Sequence, residues 1–118
     1  MMFADDDQLP PPGRVSTRRH GDARIVALQG EHDISTVDRV RECLADAGAG
    51  DGVIIVDLVD AVFLDSTVAG ALLEGYRRDS PARMRFVVVP GTSPRELFTV
   101  LGFDGSVPMF ERLEDALA

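Results

Sequence analysis

The run Val53-Ile54-Ile55-Val56-Asp57-Leu58 constrains the fold more than any other part of this sequence. It shows no polar alternation, which is the pattern of a strand covered on both faces, as in the middle of a parallel sheet. Parallel neighbours need crossover connections, and helix-period segments flank the run on both sides. Upstream, Val37, Val40, Leu44 and Ala47 recur on one helical face, with Ser35 as expected N-cap and Asp38 at capping-box spacing. Gly48-Ala49-Gly50-Asp51-Gly52 then stops that helix. Downstream, a loop over 59–64 leads to a second helix over 66–78 with Ala69, Leu72, Leu73 and Tyr76 as its apolar stripe.

The same alternation continues to the C-terminus. Ser80-Pro81 marks the exit from the second helix, and Met84 to Val89 reads as another aliphatic strand. Ser93-Pro94 opens a third helix with proline at its first position, burying Leu97, Phe98 and Leu101 before Gly102. Val107-Pro108-Met109 reads as a short edge strand, since proline is tolerated only there. Phe110, Leu113, Ala116 and Leu117 form one side of a last helix. Before the first helix, Val15–Arg19 and Arg24–Gln29 flank Gly21-Asp22 and suggest a hairpin. The expectation is a single α/β domain over 14–118, with a mixed, mostly parallel sheet, an N-terminal hairpin and about four helices. Residues 1–13, with three Asp and a proline run, are expected to be a flexible leader.

The chain has 118 residues, enough for one domain and not for two. A net charge of −8 argues against nucleic acid and against an anionic membrane surface as partner. Arg18-Arg19 and Arg77-Arg78 read as solvated surface charges. The lone Cys43 allows no internal disulfide and lies on the apolar side of the first helix. There is no signal-peptide pattern and no spanning apolar run, so a cytoplasmic location is expected.

No cofactor or metal is expected, because His20 and His32 have no partner at metal-ligand spacing, and His32 reads as a loop residue. The glycines of 48–52 follow a helix and precede a strand, the reverse of a phosphate loop. Leu64-Asp65-Ser66-Thr67-Val68 lacks the glycines of a nucleophile elbow, although a small hydrolase with His32 as base for Ser66 is conceivable. Ser66 stands out by position, beyond a central strand and at the start of a helix. Asp65, Ser66 and Thr67 are also ordinary N-capping residues, and on the residues alone the cap is the preferred reading.

Asp57-Leu58-Val59-Asp60-Ala61-Val62-Phe63-Leu64-Asp65-Ser66-Thr67 resembles the signature of STAS domains of anti-sigma factor antagonists. Gly30-Glu31-His32-Asp33 is similar to that family's Gly-Glu-apolar-Asp, and Leu97 to Phe103 and Ala116-Leu117-Ala118 fit its last two helices. The resemblance implies a non-enzymatic partner-switching protein. Its unphosphorylated form would bind an anti-sigma factor, often itself a serine kinase. Phosphorylation of Ser66, with Thr67 as alternative acceptor, would break the complex, and a serine phosphatase would restore it. The expected partner-binding residues are Asp33, Leu64, Asp65, Ser66, Thr67, Val68, Glu74 and Arg77, with Asp33 and Asp65 also suited to positioning a kinase's metal-nucleotide. Two residues depart from the pattern. His32 stands at an aliphatic position. Val68 stands at the usual glycine, where its bulk is expected to hinder a kinase or favour a scaffold or ligand-sensing module that is never phosphorylated.

Overall fold

A computed structural model describes residues 13–78 and 83–118; the leader before Gly13 and the Ser80-Pro81 exit lie outside the described residues. Strands β1 (Arg14–His20) and β2 (Ala23–His32) form the antiparallel hairpin, turning through Gly21 at φ 60°. Strand β3 (Ile54–Asp57) is central and parallel to both β2 and β5 (Met84–Val87), and β6 (Met109–Phe110) closes the far edge. Helices α1 (Val37–Gly48), α2 (Ser66–Arg78) and α3 (Ser93–Val100) cross between them, and α4 (Leu113–Leu117) ends the chain.

The aliphatic run is divided between two faces, as its lack of alternation requires. Ile54 and Val56 are fully buried with Val40 and Leu44 of α1, Leu72 of α2 and Phe98 of α3. Ile55 turns to the opposite face, under Ala116 of α4 and beside Ile25 and Val87. Arg85 secures that short helix by donating to the Ala116 and Ala118 carbonyls at 2.5 and 3.3 Å. Helices α1 and α2 approach closely where Gly75 meets Leu44: a Cβ at Gly75 would lie 3.1 Å from the Leu44 side chain.

Five sequence expectations are corrected, the first being Leu101, which is the exposed C-cap of α3 rather than one of its buried residues. The 59–64 loop contains a strand, β4 (Ala61–Leu64), parallel to the end of β2. The N-cap of α1 is Thr36, not Ser35, and makes no side-chain cap bond. The Ser35 amide and hydroxyl instead donate to the Asp33 carboxylate at 2.8 and 2.5 Å, a local turn that outcompetes the cap. Helix α3 is capped by Thr92, whose hydroxyl accepts from the Arg95 amide, with Ser93 already helical. Phe110 belongs to β6 rather than to the last helix, because its carbonyl accepts from the Val88 amide at 2.8 Å.

The glycine-rich stop of α1 has a second role. A Cβ at Gly52 would overlap the Asp22 carbonyl oxygen, so the hairpin turn packs directly on that backbone. Gly52→Ala is expected to destabilise the chain by about 2 kcal/mol, the scale of core overpacking. Urea unfolding would show it as a lower midpoint at constant slope.

Candidate functional site

The site is built by a fork in β2. This strand pairs with β3 up to Ala27, opposite Asp57, and then with β4 from Gly30, opposite Ala61. Gly30 sits at φ 80°, a left-handed conformation that glycine adopts without strain, and its amide donates to the Asp60 carbonyl at 3.0 Å. The register slips between Gly30 and Glu31. As a result Val62 and Phe63 are both exposed in succession, at 48% and 42%, while Ala61 and Leu64 point into the core. The Asp65 amide donates to the His32 carbonyl at 3.1 Å. The turn after β2 and the turn entering α2 therefore leave the sheet side by side.

Asp65 starts α2. Its carbonyl accepts the first helical bond, from the Ala69 amide, and its carboxylate accepts from the Val68 amide at 3.0 Å. Ser66 and Thr67 are the first helical residues and both are exposed. Among the described residues no hydrogen bond holds the Ser66 hydroxyl. A helix start carries free amides and the positive end of the dipole, so an added anion there is tolerated without refolding.

Val68 and Leu64 do not belong to the surface expected of them. Val68 is 0% exposed and packs in the main core, and Leu64 is buried with it. The bulk that distinguishes Val68 from glycine points inward and leaves the approach to Ser66 open. Glu74 and Arg77 are exposed further along α2, where Glu74 pairs with Arg41 of α1 at 3.4 Å. Asp33 is exposed in the neighbouring turn; the two Ser35 hydrogen bonds hold its carboxyl below the usual range. The sequence reading missed Ile34, the residue after Asp33, which is 72% exposed. The available signal was an isoleucine in a polar turn, outside both the strand alternation and the helix cap.

His32 is a core residue, not a loop residue, with no exposed surface. Its Nε2–H donates to the Gln29 carbonyl at 3.0 Å, which makes Nδ1 the acceptor facing the Thr36 hydroxyl at 2.9 Å. Both ring nitrogens are engaged, so His32 is not poised as a base for Ser66. Burial pushes its pKa below the ordinary 6.5, against the opposing pull of the Gln29 and Arg14 backbones and of Asp33. The unfolded chain therefore takes up this proton first on acidification. Stability from neutral His32 is complete above about pH 6.5 and is lost as the pH falls toward the depressed folded value. Urea midpoints from about pH 7.5 down to about pH 5 are expected to fall more steeply for the wild type than for His32→Leu.

A model of the STAS domain family matches residues 14–116. No curated protein sequence matches the chain significantly. Among solved structures, an anti-sigma factor antagonist from Mycobacterium paratuberculosis superposes with a TM-score of 0.83 at 22% identity, over 90% of this chain and 92% of that one. The anti-sigma factor antagonist SpoIIAA in its unphosphorylated form gives 0.63 at 18% identity, over 90% and 94%. The Bacillus cell fate determinant SpoIIAA in the phosphorylated form gives 0.64 at 21%, over 90% and 96%. Among the described residues no helix is long and apolar enough to cross a membrane. The family match spans nearly the whole described fold, and with that fold, the β2 fork and the Asp65-capped helix in place, the chain belongs to the STAS domain family.

Proposed function

We propose that this chain is an anti-sigma factor antagonist that binds its anti-sigma factor through the surface around Ser66 and is released by phosphorylation there. The observation that carries the reading is the exposed, unbonded Ser66 hydroxyl at the Asp65-capped start of α2, beside a turn that exposes Ile34. Ile34, Val62 and Phe63 supply apolar contact area, and Asp33, Thr67, Glu74 and Arg77 supply polar contacts. The partner, as a serine kinase, would transfer the terminal phosphoryl group of ATP to the Ser66 oxygen, taking up the hydroxyl proton and releasing ADP. The product carries roughly −1.5 to −2 added charge at pH 7, which opposes an apolar contact by desolvation. A serine phosphatase would reverse the step. The low-identity likeness to a protein solved in phosphorylated and unphosphorylated forms supports this reading.

Affinity capture from the source cells with Ser66→Ala and Ser66→Glu baits tests it. An anti-sigma factor retained by the alanine bait and lost from the glutamate bait is the expected result. Equal retention would leave Asp65-Ser66-Thr67 as the helix cap of a scaffold. Peptide mapping after incubation of the wild type with the captured kinase and ATP should place the phosphate on Ser66; phosphate on Thr67 would move the acceptor.

A further inference from the structure

The opposite end of β2 carries a second constellation, unrelated to Ser66. From Arg24 to His32, at about 3.3 Å per residue, the two ends lie roughly 26 Å apart. Arg19 and Arg24 are direct cross-strand partners in the hairpin. They follow Thr17 and Val26 on the face that α1 covers, where Val26 packs with Cys43 and Ala47. Like charges placed directly opposite one another destabilise a sheet. Arg39, four residues before Cys43 on α1, lines the same cavity, as does Arg18. The cavity measures about 300 Å³, at the lower end of small-molecule sites. Its one carboxylate is Asp46. Asp22 and Asp51 line the adjoining hollow, and neither forms an ion pair with Arg19 or Arg24. Among the described residues the side chains of Arg18, Arg19, Arg24 and Arg39 have no hydrogen-bond or ion-pair partner. In contrast, Arg41, Arg95 and Arg112 are all paired with carboxylates. Arg14 and Arg77 also lack a side-chain partner, but among the described residues four such guanidinium groups gather only around this cavity, with Asp46, Asp22 and Asp51 nearby and not paired to them.

We infer that this cavity binds a small anion bearing a diphosphate group. Guanidinium forks match phosphate oxygens in pairs, and a diphosphate has enough oxygens to bridge the Arg19–Arg24 pair to Arg39. Thr17, Val26, Cys43 and Ala47 line the rest of the cavity.

Calorimetric titration of the full chain with inorganic pyrophosphate, ADP and citrate tests this. Binding of the diphosphates but not of citrate is expected, weakening as salt is raised. Tighter binding of ADP would assign the site to an organic diphosphate, and equal binding to the free anion. Arg19→Gln/Arg24→Gln should lose at least tenfold in affinity and should itself melt higher, through relief of the like-charge pair. Arg39→Gln gives an independent check from the helix side, and Arg112→Gln should bind as the wild type does. No binding at millimolar pyrophosphate, or affinity unchanged in both cavity variants, would overturn the inference and leave these arginines as solvated charges. Equal loss in Arg112→Gln would reduce it to a response to net charge.

Discussion

On the proposed function, Ser66→Glu is expected to weaken the complex with an anti-sigma factor at least a hundredfold while leaving circular dichroism and melting temperature nearly unchanged. The two halves of this result have separate causes. Ser66 is the first residue of α2, exposed and unbonded, so the substitution removes no described contact. A carboxylate in the first helical turn is favoured by the dipole by about 0.3–1 kcal/mol. In the proposed complex the same charge would enter an interface next to the turn that exposes Ile34. Burying an unpaired carboxylate there costs several kcal/mol, and a hundredfold change corresponds to about 2.8 kcal/mol. Thr67→Glu provides a control of position. It lies one residue, about 100°, further round the helix, and a smaller loss is expected there. Titration calorimetry with the purified partner decides the matter. Undiminished affinity for the Ser66→Glu protein would sink the switch, and loss of its helical spectrum would show that the serine is structural.

The central strand and the crossover order could be read from the sequence because burial on both faces leaves an uninterrupted aliphatic run. Strand β4 could not. Its bulge exposes Val62 and Phe63 in succession, so neither strand nor helix periodicity survives over 59–64. The α1 cap was misplaced because the Asp33 carboxylate takes the Ser35 hydroxyl and His32 faces that of Thr36, contacts set by the fork in β2. Burial of His32 was within reach. Val26, Leu28, Gly30 and His32 are all buried at alternate positions of β2, and carrying that alternation two residues further would have placed the ring inside. The site was legible in its residue types and only partly in its directions. Asp65, Ser66 and Thr67 lie at a helix start, as their chemistry suggests. Val68 was read from its sequence neighbours rather than from the helix phase, although Val68, Leu72 and Gly75 share one buried stripe at i, i+4, i+7 spacing.

That stripe leads to the other large effect. Val68→Gly, which installs the glycine of the signature that this segment resembles, is expected to destabilise this chain by about 3 kcal/mol. Losing a fully buried valine side chain removes roughly 1.5–3 kcal/mol of apolar burial. Glycine in a helix adds up to about 1 kcal/mol. The void would open in the main core that Val68 shares with Leu64 and Leu72. For a domain near this size the loss corresponds to a fall of roughly 12–15 °C in Tm. Because the Val68 side chain points away from Ser66, partner affinity and the rate of Ser66 phosphorylation below the melting range should stay within about twofold of wild type, an effect under about 0.5 kcal/mol. A scanning melt and a single-turnover phosphorylation assay separate the two quantities. Unchanged stability with phosphorylation accelerated tenfold or more would mean that Val68 reaches the surface and gates the serine. Reduced stability with an unchanged rate would mean that Val68 serves the core and leaves the surface around Ser66 as it was.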